Sequence, residues 1–237
     1  MQDSISLTLG FGFALGLKHA FEADHLAAVS TIVSERRSVL GAARVGALWG
    51  LGHTTSLLFA GLLVIVPGFA IPKPVADALE LGIAVMILTL GVRLLYLLLR
   101  NSARVHVHAH LHEGRGTFSI MGNDAHPPVQ TYKGSHGGLS RRRTFLVGVL
   151  HGLAGSAALT LLVLTEVIRN GSPVLGLSYL LIFGIGSTSG MLIMSSLIGI
   201  PFALSSRWPN RLSGVLQFSA ATSSVLFGFY YGWQIIS

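Results

Sequence analysis

The sequence of 237 residues contains no cysteine. This absence excludes disulfide bonds, thiol redox chemistry and thiolate ligands to metal ions. Any metal ion that the protein binds must therefore be held by nitrogen and oxygen atoms, and Cu(I), which prefers sulfur, is disfavoured.

Charged residues are also scarce, because Asp, Glu, Lys and Arg make up 11% of the chain, against about 25% in ordinary soluble domains. Hydrophobic residues make up 51%, and the mean hydropathy is +0.67. This composition indicates an integral membrane protein. The alternating pattern of a membrane β-strand is lacking as well, which favours helices that satisfy their own backbone hydrogen bonds.

Six segments are apolar over the roughly 20 residues that a helix needs to cross the hydrocarbon core of a bilayer. They are residues 5–33, 43–66, 76–99, 144–168, 174–200 and 211–236. Much of the glycine lies inside these segments, which is typical of membrane helices that pack closely. The sequence therefore predicts an all-α membrane protein with six transmembrane helices.

Positive charge is distributed unevenly over the loops between these segments. Twelve of the 16 Lys and Arg residues lie in the first, third and fifth loops. By the positive-inside rule these loops are cytoplasmic, so we expect a multi-pass protein of the plasma (inner) membrane with both termini outside. The same distribution explains the net charge of +7 without a nucleic-acid partner.

The third loop, residues 101–143, is rich in Gly, His and Pro and lacks apolar periodicity, so we predict a flexible cytoplasmic segment. It separates a first three-helix unit, residues 1–100, from a second, residues 144–237. Because each unit has an odd number of spans, a duplicated unit must enter the membrane in opposite orientations. The expected fold is therefore two inverted three-helix repeats.

Two matches between the units support a duplication. The string WGLGHTTSLL at 49–58 resembles FGIGSTSGML at 183–192 with an offset of 134, and His19 matches His151 with an offset of 132. The other polar residues of the first unit have small counterparts in the second. The functional site is therefore expected to belong mostly to the first unit.

Five ionisable side chains lie close together within the first apolar segment. They are Lys18, His19, Glu22, Asp24 and His25. An Asp or Lys at the middle of a membrane helix costs roughly 2.5 to 3.5 kcal/mol, so such a cluster should persist only where it faces protein or water and binds something. Imidazole nitrogen and carboxylate oxygen are ligands for divalent first-row metal ions. We interpret the cluster as a metal site.

On an ideal helix Asp24 would point about 140° away from His19. Asp24 therefore either orients a ligand histidine, or the helix is bulged or broken at this point. We favour distortion, because Gly12 and Gly16 lie just upstream. Glu22 has two interpretations, a metal ligand or the partner of Lys18 four residues earlier.

Two further polar residues lie in later spans. His53 is at the middle of the second apolar segment among small residues. Because His53 lies in the same unit as the His/Asp/His segment, we interpret it as a further metal ligand. Arg93 is expected to reach the membrane interface, with a role as counter-ion of Asp24 as the alternative.

The string His19-x4-Asp24-His25, followed by Leu51-Gly52-His53-Thr54-Thr55, resembles the paired signatures of the nickel/cobalt transporter family. That family includes shorter members associated with urease and hydrogenase maturation, which the string beginning at His151 also resembles. The resemblance implies that His19, Asp24, His25 and His53 contact the metal ion during passage. Glu22 and His151 are secondary candidates.

Alternate histidines in the third loop form a separate candidate site. They are His106, His108, His110 and His112. On an extended segment such histidines can chelate a divalent ion weakly and with rapid exchange, and a tolerated polar linker is the alternative. Metal binding there would serve buffering or sensing, and a cytoplasmic metallochaperone is a candidate partner.

These features predict a secondary transporter or facilitator that takes up Ni²⁺ or Co²⁺, with membrane lipid and the divalent ion as its partners. No Walker motif is present in the sequence and no cofactor is expected beyond the transported ion. Efflux on the same fold is the alternative. An intramembrane hydrolase using Ser156 or Ser187 with His151 is a third reading, but the Gly-x-Ser-x-Gly and His-Glu-x-x-His motifs are absent, so we expect no enzyme.

Overall fold

The computed structural model describes residues 2–65, 72–102, 140–153, 172–205 and 210–237. Regular structure in these ranges is entirely helical. The helices are α1 (Gln2–His19), α2 (Ala23–Val33), α3 (Val39–Ile65), α4 (Lys73–Ser102), α5 (Arg141–Gly152), α6 (Pro173–Ser205) and α7 (Asn210–Ile236).

Four of the described helices, α3, α4, α6 and α7, are long and apolar enough to cross a membrane. They confirm the second, third, fifth and sixth predicted spans, and the protein is an integral membrane protein. The fourth predicted span is described only up to residue 153, in and just after α5. Most of the third loop, residues 103–139, lies outside the described residues.

The first apolar segment is divided in two, because α1 ends at His19 and α2 begins at Ala23. In the turn between them Phe21 donates its backbone N–H to the carbonyl of Lys18 at 2.9 Å, and Glu22 donates to that of His19 at 3.0 Å. These bonds pair carbonyls that a helix end would otherwise leave unsatisfied. A single helix over 5–33 is therefore wrong, and the distortion predicted at the ionisable cluster is confirmed as a complete break.

Gly12 and Gly16 have a different role from the one expected, since both lie inside the unbroken α1. A β-carbon at Gly12 would lie 2.8 Å from the ring of Tyr179, and one at Gly16 would collide with the backbone carbonyl of Phe183. The two glycines therefore allow α1 to pack closely on α6.

The helices of the two halves pack against each other rather than forming separate bundles. The largest contacts join α3 to α6, α4 to α7, α1 to α6 and α5 to α3, while α2 lies against α4, α6 and α7. The buried core includes Ile32 of α2, Trp49 of α3 and Met191 of α6. This arrangement brings the ends of α1 and α5 to the middle of α3.

Arg93 of α4 has a protein partner. Its guanidinium donates to Oε1 of Glu35, a side chain that is 9% exposed, at 2.9 Å. Asp24 pairs with histidines instead, so Arg93 is not its counter-ion, and the expected position of Arg93 at the membrane interface stays a prediction. Gln217 of α7 donates to the backbone carbonyl of Ser34 at 3.0 Å. The end of α2, the C-terminal half of α4 and the beginning of α7 therefore meet at one end of the bundle.

The close approach of α1 to α6 predicts that Gly16→Ala destabilises the fold. The added methyl group meets backbone that cannot rotate away, and overpacking of this kind costs about 1 to 3 kcal/mol. The folded fraction that survives heating in detergent, measured by size-exclusion chromatography, should fall at a lower temperature than for the parent chain. Gly10→Ala on the same helix is the matched control, because nothing lies within 4 Å of its added carbon. Equal stability of the two variants would contradict the packing argument.

Candidate metal site

Four histidines from four helices meet in the interior of the protein. His19 ends α1, His25 lies in the first turn of α2, His53 is at the middle of α3 and His151 is next to last in α5. Each is at most 4% exposed. The ring of His25 is central, with its centroid 4.5 Å from that of His19, 5.3 Å from that of His53 and 4.2 Å from that of His151.

His19, His25 and His53 form one three-residue group, in which one ligand atom of each residue lies within 4.8 Å of the others. The Nε2 atoms of His19 and His53 are 3.1 Å apart. Two nitrogens that bind one first-row metal ion at 2.0 to 2.1 Å are separated by about 2.9 to 3.4 Å in octahedral or tetrahedral geometry. The spacing already present therefore suits a shared divalent cation.

Glu22 supports His19 from the opposite side of the ring. His19 donates its Nδ1–H to Oε2 of Glu22 at 2.9 Å, and the described residues include no ion pair between Glu22 and Lys18. A carboxylate that accepts from one ring nitrogen fixes the tautomer and turns the other nitrogen towards the metal position. The pairing with Lys18 is therefore wrong, and a supporting contact to His19 is observed in its place.

Asp24 is held between two histidines. Its Oδ1 accepts from Nδ1 of His25 at 3.1 Å, and its Oδ2 accepts from Nε2 of His151 at 2.9 Å. Asp24, His25 and His151 thereby form a second group of ligand atoms within 4.8 Å of one another. Asp24 thus orients two imidazoles and also offers oxygen to a cation.

Several buried nitrogens of the cluster have no hydrogen-bond partner in the part of the chain that the structure describes. They are Nε2 of His25, Nδ1 of His53 and Nδ1 of His151. A buried polar atom left unpaired costs about 1 to 3 kcal/mol, so it is rare without a reason. An unpaired ring nitrogen of this kind is available to a cation or to a hydrogen that moves across its ring.

The electrostatics of the cluster also suit a divalent cation. Glu22 and Asp24 contribute two negative charges among imidazoles that are neutral when they bind metal. The C-terminal end of α1 lies at His19, and that of α5 one residue after His151. Helix C-termini carry partial negative charge, and the broken helices of transporters direct such ends at cations.

The structure brings together all of the principal residues predicted from the sequence, namely His19, Asp24, His25 and His53, with Glu22 and His151 in the same cluster. Whether they bind metal stays a prediction. His106, His108, His110 and His112 lie outside the described residues.

Trp49 is a neighbour of the cluster that sequence reasoning missed. Its ring stacks on that of His25 with centroids 5.5 Å apart and meets the edge of His151 at 5.3 Å. Phe183 is at the matching position of the second half, and its ring centroid lies 5.7 Å from that of His19. The alignment of WGLGH with FGIGS places these two aromatic residues in register, which is the signal that identifies them.

The geometry does not support a serine hydrolase. A nucleophilic serine needs its base within hydrogen-bond reach. His151 contacts Asp24 instead, and the hydroxyl of Ser187 has no hydrogen-bond partner among the described residues. Ser156 lies outside those residues.

Comparison with known proteins gives one informative similarity. The chain is 34% identical over 233 residues to the urease accessory protein UreH of Bacillus sp. (strain TB-90), and the match covers 98% of this chain and 93% of that protein. No protein-family model and no solved structure matches the chain. The similarity therefore extends over both halves of the molecule.

The position of Trp49 predicts a direct optical signal for metal binding. The chain has three tryptophans, and replacing Trp208 and Trp233 by Phe leaves Trp49 as the reporter. Paramagnetic Ni²⁺ held by His25 should quench the emission of Trp49 by more than half, whereas Mg²⁺, which prefers oxygen ligands, should not. Fluorescence titration of the purified protein measures this. Quenching of the same size in the His25→Ala variant would place the metal elsewhere.

Proposed function

We propose that this chain, which belongs to the family of the urease accessory protein UreH, carries a divalent metal ion across the membrane. That family is one of accessory proteins and not of enzymes. The observation that carries the proposal is the convergence of His19, His25 and His53 in the interior of a membrane protein, with two imidazole nitrogens 3.1 Å apart. Ionisable residues inside membrane-spanning segments are rare, and they mark substrate or ion pathways and other functional sites.

The transported ion is proposed to be Ni²⁺, with Co²⁺ as the second candidate. Three imidazoles and a carboxylate suit both ions, and affinity alone would favour Cu²⁺, so geometry and supply must select. The similarity to an accessory protein of urease, a nickel enzyme, favours nickel. The same similarity favours uptake over efflux, since a maturing enzyme needs metal delivered to it.

Binding and release of the ion are proposed to exchange it for a proton. Because Nδ1 of His19 donates to Glu22, the hydrogen between the Nε2 atoms of His19 and His53 belongs to His53. A cation at this position needs a lone pair on both atoms, so the hydrogen of the neutral His53 must move from Nε2 to Nδ1, which has no hydrogen-bond partner among the described residues. A protonated imidazole offers no lone pair, so metal binding competes with protonation of these histidines, and a proton gradient could drive transport.

Two inverted repeats are proposed as the framework of transport, and contacts that recur on exchange of the halves support them. Gly52 of α3 approaches the backbone of Phe145 in α5, and the matching Gly186 of α6 approaches the backbone of Phe13 in α1. These pairs are related by the same offsets of 134 and 132 that relate the sequences.

The contact between α3 and α6 has the same reciprocity. Gly50 meets Thr188, and Gly184 meets Thr54. Thr54 and Thr188 are themselves a matching pair, and their hydroxyl oxygens are 2.9 Å apart. A contact between equivalent residues is expected on a two-fold axis, which supports an axis passing between α3 and α6.

The contact between α4 and α7, the last helices of the two halves, has the same reciprocity. Gly91 of α4 lies against Val225 and the backbone of Ala221 in α7, while Gly228 of α7 lies against Leu88 and the backbone of Ala84 in α4. One offset of 137 converts each of these contacts into the other. In transporters with such repeats the substrate lies near the midplane where the repeats meet, and His53 is the fifteenth of the 27 residues of α3.

Both termini are proposed to lie outside, with the end of the bundle that carries Glu35 and Arg93 in the cytoplasm. The basic first, third and fifth loops adjoin that end, because α2 and α4 finish there and α7 begins there. The plasma (inner) membrane is the proposed location, and the positive-inside rule supports this orientation.

Loss of the ligands should abolish transport while leaving the protein in the membrane. His19→Ala, Asp24→Ala and His25→Ala are each expected to lower the accumulation of radioactive nickel in expressing cells at least tenfold, because each removes a ligand or its support. Thr55→Ala, which alters an exposed hydroxyl two residues from His53, is the matched control and should transport normally. Wild-type accumulation in all three variants would reject the site, and expressing cells that hold less nickel than cells without the protein would indicate efflux.

The absence of cysteine makes the proposed orientation testable by labelling. Ser38→Cys and Ser237→Cys each introduce one exposed thiol, in the first loop and at the C-terminal residue. An impermeant maleimide added to intact spheroplasts should label Cys only in the Ser237→Cys variant, and should label both variants after the membrane is opened. Labelling of the Ser38→Cys variant alone in intact spheroplasts would contradict the proposed orientation and indicate the opposite one.

A further inference from the structure

We propose that Asp24, His25 and His151 form a second position for the transported cation, and that His25 transfers the ion between this position and the one at His19 and His53. The inference rests on the proposed transport function. It concerns how the ion moves within the buried cluster, and it gives His151 a part in the pathway.

The two nitrogens of His25 have different surroundings. Nδ1 lies 3.1 Å from Asp24, whose other oxygen lies 2.9 Å from Nε2 of His151. Nε2 of His25 has no hydrogen-bond partner in the described ranges. A neutral imidazole has one lone pair, which lies on Nε2 of His25 while Nδ1 donates to Asp24, and Nε2 can then serve a cation beside His19 and His53. A cation beside Asp24 needs the hydrogens of His25 and His151 to move to the other nitrogen of each ring, and both of those nitrogens lack a hydrogen-bond partner among the described residues.

His25 lies next to two histidines at helix ends, His19 of α1 and His151 of α5. Its ring centroid is 4.5 Å from that of His19 and 4.2 Å from that of His151. Both groups of ligand atoms are compact within 4.8 Å, and His25 is their shared member. An ion that passes from one group to the other therefore moves only a short distance, and exchanges Nε2 of His25 for Nδ1 of the same ring as the hydrogen of that ring moves the other way.

The two positions differ in their ligands. The first offers three imidazoles, and the second offers two imidazoles and the carboxylate of Asp24. Simultaneous occupancy would place two divalent cations on either side of one neutral ring, where their repulsion is large in a buried environment. We therefore expect one ion per chain, distributed between the positions.

The matching positions of the two halves support a paired arrangement. His151 corresponds to His19 by the offset of 132, and each packs near an aromatic ring at matching positions of α3 and α6. Trp49 lies 5.3 Å from His151, and Phe183 lies 5.7 Å from His19. One helix-ending histidine from each half thus flanks His25, as expected where an ion is passed between the halves of a repeat.

The experiment measures binding and transport separately with two single variants and their combination. Purified wild-type protein should bind one Ni²⁺ per chain, seen by equilibrium dialysis and by quenching of Trp49. His53→Ala should retain one ion through the second position, and His151→Ala should retain one ion through the first. The double variant should bind none. In vesicles, both single variants should lower the rate of nickel transport at least tenfold.

Controls separate this inference from misfolding and from failure of the function itself. Leu150→Ala, an exposed neighbour of His151 on α5, should bind and transport normally. His151→Gln keeps the side chain polar and similar in size, so it should reproduce the loss of transport with an unchanged size-exclusion profile. Wild-type transport by His151→Ala, or loss of all binding in each single variant, would overturn the second position. If the wild-type protein neither binds nor transports Ni²⁺, the proposed function fails first.

Discussion

The constraint on which the cluster depends is the burial of a carboxylate inside a membrane protein. Asp24 is only 13% exposed, and an ionised carboxylate without partners would be very unfavourable there. Both of its oxygens accept hydrogen bonds from imidazoles, one from the neighbouring residue and one from the other half of the chain. The contact between Asp24 and His151 thus joins the first half to the second at a point where charge is costly to bury.

That contact requires the first apolar segment to be broken. On a continuous helix Asp24 would face away from His19, whereas the turn at residues 20–22 lets α1 end with His19 in the cluster and α2 begin with Asp24 and His25 in its first turn. The cluster also needs the remaining helices to approach one another closely. Glycines in α3, α5 and α6 bring those helices near enough for His53 and His151 to reach the same interior volume.

Hydropathy was sufficient to predict four spans, because the apolar character of about 20 residues is summed over the whole segment and tolerates local irregularity. The break was predicted only as one of two alternatives, since sequence spacing assumes ideal geometry, and Gly12 and Gly16 were assigned to it wrongly.

The partner of Glu22 was missed for the same reason: the turn carries its carboxylate to His19 rather than to Lys18. Trp49 was missed because an aromatic residue in an apolar run does not reveal which side chain it contacts. The offset between His19 and His151, by contrast, held information about the cluster, because the rings of both residues lie next to that of His25.

The proposed repeat and the chemistry of the cluster have different symmetry, and under the proposed function this difference bears on the direction of transport. The backbone contacts of α3 with α6 and of α4 with α7 are nearly interchangeable, whereas the polar residues are not, since Ser187 stands where His53 has its counterpart. A symmetrical framework can open to either side of the membrane with similar free energy, while an asymmetrical ligand set binds the ion differently in the two states. The three-imidazole group lies beside Glu22, whose side chain is 44% exposed, whereas the side chain of Asp24 in the other group is 13% exposed. Under the proposed transport function, a cation that first meets the exposed carboxylate of Glu22 and then the less exposed carboxylate of Asp24 keeps a negative charge close to it as its water is removed, which compensates for dehydration.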